Sequence, residues 1–367
     1  MKFTIVRNGL HVLRDTIADQ IIHSCLKHGH EIELATNGVQ FVLNLTDTAS
    51  PRSYRRKSQS VFVVSIVEER DGHVELRSRC YTTLIRSLSN LLICVVPSNG
   101  SSHDVCTAPV VYFTTPEAGF YHLPFDPERV YQRILPIIGA HFATENVFSA
   151  DLPERYWGSS PVVEKIKEYG RELDNMKVLP APFPLRDILS EEDMRHIYKI
   201  FGITGASYGN LSARESIPEL GDVTFWMTGR GVNKANLSKV GKDILLVKGF
   251  DEGNGTALVS VPPEFDEKAR VSVDAIEHYL IYKTFPEVGA IVHAHAWIDD
   301  VLSTSQNYPC GTRELAQEVV DLLGRTEDPS RAEVGLKNHG LTITGHSLDE
   351  IFDRIRHRLR REVQMFA

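Results

Sequence analysis

At 367 residues the chain exceeds the usual size of one domain, so two domains are expected. Hydrophobic residues at 42% and charged residues at 24% are those of a protein with a real core, and a formal net charge of −8 speaks against the basic footprint of a nucleic-acid or anionic-membrane partner. No run approaches the ~18 apolar residues of a membrane span.

The opening MKFTIVRNGLHVLRD is too polar for a secretory signal, and Cys25, Cys80, Cys94, Cys106 and Cys310 are scattered without CxxC spacing. Reduced thiols in a cytoplasmic protein are therefore expected, with no disulfide framework. Residues 1–150 alternate strand and helix patterns. KFTIV (2–6) reads as a strand, and Asp15 to Lys27 as an amphipathic helix with Ile17, Ile21, Ile22 and Leu26 apolar. EIELAT (31–36), VQFVLNL (39–45), VFVVSIVEE (61–69) and LLICVVP (91–97) read as strands. This is an α/β pattern, but the turn Arg7–Asn8–Gly9–Leu10 lacks the glycine-rich fingerprint of a dinucleotide site. The basic run PRSYRRKS (51–58) offers a phosphate contact or, as charge runs mostly do, a solvated loop. The function of this N-terminal α/β domain is not legible.

Residues 151–187 form a helical and proline-rich linker: Ser160–Pro161 opens a helix, and LPAPFPL (179–185) cannot continue one. From 188 a new unit begins. Ser190 and acidic residues 191–193 lead the helix EEDMRHIYKIF, followed by ITGASYGNLSAR (203–214). The letters of that stretch imitate a dehydrogenase phosphate loop, and Gly205–Ala206–Ser207–Tyr208–Gly209 imitates a hydrolase nucleophile elbow. Both motifs need a strand before and a helix after, whereas here a helix precedes and a strand pattern follows. What remains is either a helix cap or a glycine-flanked turn offering backbone N–H groups and the Asn210 amide to an anion.

The informative segment is SVDAIEHYLIYKTFPEVGAIVHAHAW (272–297). His293 and His295 end an apolar strand, and period-two alternation puts both imidazoles on one face. That arrangement suits a divalent-metal clip better than core packing. Asp274 and His278 are four apart on a predicted helix, and His278 either orients a ligand or packs. VGLKNHGLTITG (334–345) places His339 where a strand meets a turn, completing three histidines with room for water or substrate.

Taken together, G-N-x-S (209–212), TGRG (228–231), D-x-x-x-H (274–278), P-x-V-G-A-I-V-H-x-H (286–295) and N-H-G-L (338–341) make residues 188–367 resemble the class II aldolase/adducin family. The resemblance implies an α/β/α domain with a central, mainly antiparallel sheet, and a homo-oligomer, tetrameric in the family, with the site at a subunit interface. It implies His293, His295 and His339 as ligands of a divalent metal, zinc first, with manganese, cobalt or iron as alternatives. It assigns substrate binding to Gly209, Asn210, Ser212, Arg230, Gly231 and Ser272, and proton transfer to Asp274. The expected activity is that of a lyase cleaving a carbon–carbon bond through a metal-stabilised enediolate, on a small anionic, sugar-phosphate-like hydroxy-carbonyl substrate. Epimerisation, dehydration or decarboxylation on the same scaffold is the alternative, and a non-catalytic adducin-like binding module the rival. Four features depart from the family pattern. Arg230 stands where a small residue is usual, Ser272–Val273 replaces a Ser-Ser pair, the segment between His295 and Tyr308–Pro309–Cys310 is shorter than in sugar-phosphate members, and no tyrosine follows Tyr308 to act as a tail proton donor. The last helix is expected over 348–366, with Leu348, Ile351, Phe352, Ile355 and Leu359 on one face and arginines toward its end.

Overall fold

The computed structural model describes residues 1–34, 38–56, 58, 60–70, 75–97, 108–179, 189–195 and 208–367. The chain divides into two units: residues 1–140 with 185–201 and 365–367, and residues 141–184 with 202–364. Among the described residues no helix is long and apolar enough to cross a membrane.

The first unit is built on a seven-stranded sheet of order β2-β1-β3-β4-β5-β6-β7. Its strands are β1 (Lys2–Arg7), β2 (Glu31–Ile32), β3 (Phe41–Leu45), β4 (Phe62–Glu68), β5 (Leu91–Val96), β6 (Val110–Thr114) and β7 (Phe120–Pro124). The pairs up to β5 are parallel and the last two antiparallel. β3 and β4 are buried at every position, as parallel strands covered on both faces must be. Helix α1 (Val12–Lys27) buries Ile17, Ile21 and Ile22, while Leu26 turns outward at 43% exposure; α2 (Leu76–Arg86) and α3 (Pro127–Ile138) follow. Strand 31–36 proves to be two residues within what is described, and 35–37 lie outside it.

Two arginines explain local features of this unit. Arg14 is fully buried and donates to the carbonyls of Asn8 (3.0 Å), Gly9 (3.0 Å) and Thr46 (2.7 Å), joining the ends of β1 and β3. In the basic run, Arg56 donates to the Asn90 side-chain oxygen (3.1 Å) and the Leu88 carbonyl (2.5 Å). Its charge is consumed in holding a turn, which leaves little of it for a phosphate.

The second unit carries a nine-stranded sheet of order β14-β15-β16-β13-β9-β10-β11-β12-β8. Its strands are β8 (Glu145–Ser149), β9 (Asn210–Arg214), β10 (Phe225–Thr228), β11 (Ile244–Asp251), β12 (Thr256–Ser260), β13 (Ala290–Ala294), β14 (Leu302–Ser303), β15 (Glu333–Leu336) and β16 (Gly340–Gly345). It is antiparallel except at its two edges, where β14 joins β15 and β8 joins β12 in parallel. The domain boundary read from the sequence at 150 thus falls inside this unit. β8 covers the β12 edge, which would otherwise present unpaired backbone groups. The helix opened by Ser160, α4 (Pro161–Asn175), also belongs here: Ser160 Oγ accepts from Val163 N–H, and Tyr169 stacks on Phe352 at 4.4 Å.

Helices α5 (Ala275–Thr284) and α6 (Arg313–Leu323) cover one sheet face, where Ile276, Ile281, Leu315, Val319 and Leu323 meet Met227, Leu245, Val259, Ile291 and Leu336. Each such side chain contributes ~1.5–3 kcal/mol on burial. Helix α4 and α7 (Leu348–Ile355) pack together against β9, β10, β13 and β16 outside that cluster, which makes the unit an α/β/α sandwich around a mainly antiparallel sheet. The last helix is shorter than expected. It stops at Ile355 because the chain turns there to pair Arg360 with Trp297 through two backbone bonds of 2.8 Å. Its arginines face carboxylates of the same unit: Arg354 and Arg358 meet Glu333, and Arg356 meets Glu172.

Residues 191–195 are helical, with Ser190 Oγ accepting from Asp193 N–H at 3.1 Å; residues 196–207, including most of the ITGAS run, lie outside the described residues. The strand β9, not a helix, follows Gly209.

Candidate metal centre

β13 sits between β9 and β16, and this arrangement builds the centre. His293 pairs with Asn210 on one side and Thr342 on the other. His293 shares the strand face of Ile291, which α5 and α6 cover, and His295 follows the last strand residue, Ala294. The third imidazole arrives on the short connection between β15 and β16. There Asn338 takes a left-handed backbone (φ 59°), a conformation asparagine tolerates, and His339 N–H donates to Leu336 O at 3.0 Å. Two glycines permit the approach. A Cβ at Gly340 would lie 2.3 Å from the Ala294 carbonyl oxygen, and one at Gly209 (φ +72°) 2.4 Å from that of His293. No other residue type fits at either point.

The result is a convergence of three rings. One nitrogen from each of His293, His295 and His339 lies within 4.8 Å of the others. The ring centroids are 4.7 to 5.1 Å apart, and His339 Nε2 is 3.2 Å from His295 Nε2. His293 is held by its Nδ1, 3.0 Å from the Leu341 carbonyl, which leaves Nε2 pointing elsewhere. Burial lowers the basicity of all three imidazoles, of His295 and His339 well below the ordinary value, so each ring offers a lone pair. Four buried atoms in this neighbourhood have no hydrogen-bond partner among the described residues: His293 Nε2, His295 Nδ1, His278 Nε2 and Asn210 Oδ1. Each such atom costs ~1–3 kcal/mol, a cost that a bound ion or ligand repays. Three neutral imidazoles, two buried and that of His295 half-buried, with an orphaned Nε2 on His293, fit a zinc-type ion.

The predicted site residues around the histidines fall into separate hydrogen-bonded sets. Asn210 Nδ2 donates to Asp274 Oδ2 at 2.7 Å and to Ser272 Oγ at 3.1 Å. Ser212 Oγ bridges His278 Nδ1 (2.7 Å) and Tyr282 Oη (2.8 Å), so the second polar residue of the GNxS motif reaches α5 and fixes a helix histidine. His278 is fully buried and its imidazole is pushed down to about 3. The TGRG turn lies beside the same strand end. Thr228 Oγ1 accepts from Leu211 N–H, Ser272 N–H donates to Thr228 O, and Gly231 takes φ +67°. Arg230 is half-buried, and its guanidinium donates to the Thr144 carbonyl at 3.0 Å.

Four further residues went unread in the sequence. Lys234, 3% exposed in the turn after TGRG, has its ammonium pushed down to about 7 by burial, with the Asp274 charge pulling the other way. It reaches this depth because Gly170 of α4 has no side chain; a Cβ there would lie 2.3 Å from the Lys234 carbonyl oxygen. The Tyr208 ring packs on His295 at 4.8 Å, and Cys310 Sγ lies 3.2 Å from His339 Nε2. Glu277 is 2% exposed and accepts from Thr342 Oγ1 at 2.6 Å; burial, with the Asp274 charge, pushes its carboxyl up to about 8.

Glu277 makes a testable contribution to pH dependence. Its folded value lies above the unfolded 4.5, so the folded protein keeps a proton that the unfolded chain releases, and stability falls as pH rises from about 4.5 to about 8. In metal-stripped protein, Glu277→Gln should keep an acceptor for Thr342 and lose less melting temperature than wild type between pH 5 and 8. Parallel slopes would mean that Glu277 is ionised throughout.

The family model of the class II Aldolase and Adducin N-terminal domain matches residues 193–305. This segment belongs to the class II aldolase and adducin family. The matched span of the aldolase/adducin domain contains Asn210, Asp274, His278, His293 and His295, while His339 follows its end. Among solved structures the chain is similar to an L-fuculose 1-phosphate aldolase, with TM-score 0.36, 18% identity, 55% of this chain and 83% of that one covered. It is also similar to YgbL of Escherichia coli (TM-score 0.30, 17% identity, 52% and 85% covered) and to an aldolase II superfamily protein of Pseudomonas syringae (0.29, 18%, 47% and 75%). No curated protein matches the chain.

Proposed function

We propose that the second unit is a metal-dependent lyase acting beside the carbonyl of a small anionic hydroxy-carbonyl substrate, with His293, His295 and His339 holding the cation. The observation that carries this reading is the convergence of three neutral imidazoles, His293 and His339 buried and His295 half-buried, with an orphaned Nε2 on His293. A bound divalent cation supplies Lewis acidity to a carbonyl and stabilises negative charge developing on adjacent oxygens.

The chain's own residues supply the rest. Asp274 stands at the start of α5, 5% exposed, with one carboxylate oxygen held by Asn210. A carboxylate anchored by one oxygen keeps a fixed aim for proton transfer with the other. Buried Lys234 lies near Asp274, His293 and His295, and in its ammonium form provides a counter-charge for an anionic substrate group. Asn210 begins β9 directly after Gly209 and donates to Ser272, and the hydroxyl and amide groups here, with the backbones of Gly209 and Gly231, would orient that substrate. Arg230, whose guanidinium donates to the Thr144 carbonyl, brings a planar cation suited to a carboxylate or phosphate to the TGRG turn. Tyr208, 6% exposed and packed on the His295 ring, helps close the site against water. Carbon–carbon cleavage is the outcome we favour; epimerisation or decarboxylation uses the same proton-handling groups. The subunits are proposed to assemble as a homo-oligomer in the cytoplasm.

The test is metal analysis of the full chain after gentle purification, paired with turnover on hydroxy-carbonyl phosphates and acids before and after chelation. We expect about one divalent cation per chain at this centre, activity lost on chelation, and activity restored by zinc, manganese, cobalt or iron. Protein that stays active after complete chelation, or that never takes up a cation, rejects the reading.

A further inference from the structure

Helix α5 turns polar side chains toward the sheet as well as apolar ones: Asp274, Glu277, His278 and Tyr282 are each 5% exposed or less. Three hydrogen bonds pin that face. Asn210 Nδ2 donates to Asp274 Oδ2 at 2.7 Å, Ser212 Oγ lies 2.7 Å from His278 Nδ1, and Thr342 Oγ1 donates to Glu277 Oε1 at 2.6 Å. The first two partners stand on β9 and the third on β16, and β13 runs between those strands. The helix therefore bridges the strand that carries His293, with His278 on the β9 flank and Glu277 on the β16 flank. Asp274 and His278, four apart, share one helix face, and Asn210 and Ser212, two apart, share one face of β9 as the register partners of His293 and Ile291. His278 has no role in the function proposed above, yet it sits one helical turn along from Asp274.

Hydrogen-bond counting places the His278 proton. The Tyr282 hydroxyl is buried, and its hydrogen-bond partner among the described residues is Ser212 Oγ at 2.8 Å. A phenol O–H that donates to Ser212 leaves the serine proton for His278 Nδ1, so the ring proton sits on Nε2 and Nε2–H alone stays unpaired. The reverse direction would leave two groups unpaired, the tyrosine O–H and the Nε2 lone pair, and each such buried group costs ~1–3 kcal/mol. Burial, with the neighbouring His293, pushes the imidazole down to about 3, so the ring stays neutral.

We propose that His278 is a further catalytic residue of this site, donating from Nε2–H to the substrate oxygen on which negative charge develops. The inference rests on the lyase reading above and adds to it a hydrogen-bond donor from the chain. Asn210 supplies a second, independent sign on the same flank. Its Nδ2 donates to both Asp274 and Ser272, which leaves Oδ1, buried and unpartnered, as the acceptor for a substrate hydroxyl. A neutral imidazole N–H that is already desolvated and fixed in direction needs no reorganisation as charge builds on an oxygen, which is the requirement for oxyanion stabilisation. No covalent bond changes at His278; its hydrogen bond strengthens as the charge develops.

Two measurements on the full chain test this. Nitrogen NMR of metal-free protein labelled in its histidine rings shows which nitrogen carries the proton, and the His278 signals are those absent from His278→Gln. The expected wild-type ring is neutral with its proton on Nε2 across ~pH 5–8, where an ordinary histidine titrates. Any other protonation state overturns the proposal. The second measurement is steady-state turnover on the hydroxy-carbonyl compound that wild type accepts, with metal content determined on the same samples. His278→Leu removes the donor and should lower kcat by ~10²–10³-fold, the loss for one oxyanion donor, with KM within a few-fold and metal content unchanged. His278→Gln carries an amide N–H to the Nε2 position but cannot pass on a proton, so it should recover most of that loss. Unchanged kcat in His278→Leu removes the donor from the mechanism. A loss as deep in folded His278→Gln as in His278→Leu overturns the proposal in favour of packing or proton transfer. If His278→Leu fails to fold, the wild-type NMR signals and the turnover of His278→Gln still decide. Wild type that holds a cation yet turns over no hydroxy-carbonyl compound defeats the lyase reading itself, and this inference with it.

Discussion

His293→Ala should abolish metal uptake and turnover together. His293 is the contribution of β13 to the cluster, fixed by its Nδ1 contact with Leu341 and flanked by Asn210 and Thr342 in register. Its removal takes one of the three imidazole donors and leaves a cavity beside the remaining two rings. Losing only an outer partner of a ligand costs ~10–100-fold in metal affinity, so losing the ligand itself should exceed that. Stability of the metal-free protein should change little for so deep a residue. The substitution removes the packing of a ring, but also an unpartnered buried nitrogen whose desolvation costs ~1–3 kcal/mol. Metal analysis, turnover and thermal unfolding of the same preparation check all three expectations. Wild-type turnover in His293→Ala would remove the metal from the mechanism.

Asp274→Asn should separate proton transfer from metal binding. An asparagine at this position has the shape of the carboxylate, and its side-chain oxygen can still accept from Asn210 Nδ2. What it loses is the ability to take up a proton, an ability worth roughly 10²–10⁴-fold in rate for a positioned acid–base group. The turnover number should fall by that factor while KM stays within a few-fold and metal content is unchanged. A loss of metal in parallel with activity would make Asp274 a ligand instead, and turnover within a few-fold of wild type would leave the proton with another group. Lys234 and Glu277 stand close enough to Asp274 in charge to alter its behaviour, so single substitutions there are expected to be non-additive with Asp274→Asn.

Some of this centre is legible in the chain because local periodicity carries it. His293 and His295 follow an apolar run, and alternation alone places both on one face. The rejection of the two decoy motifs at 203–214 needed only the order of helix and strand, and β9 does follow Gly209. The α/β/α architecture came from five short motifs in order, each of which marks a point of close backbone approach or a buried polar contact. Gly209 and Gly340 are examples: the sequence shows glycine beside asparagine and histidine, and the structure shows the carbonyl oxygen that no side chain could share.

Other features depend on distant contacts, and periodicity is blind to them. The last helix lost its second half because Arg360 finds a backbone partner in Trp297, far away along the chain. Residues 145–149 read as the end of the first domain, and only a free edge on β12 recruits them to the second sheet. Lys234 lies in a stretch, KANLSKVGKD, that has the composition of a solvated loop; its burial is decided by Gly170 on another helix. Glu277 looks like an ordinary polar helix position until Thr342 of β16 covers it, and Cys310 looks like a stray thiol until the β15–β16 connection brings His339 within 3.2 Å. The amino-acid order by itself determined which residue types face the same way along each element, because side-chain direction follows backbone period. Which elements meet, and hence which carboxylate, ammonium or thiol is drawn into the centre, was decided only by the folded sheet order, because burial and charge coupling act through space.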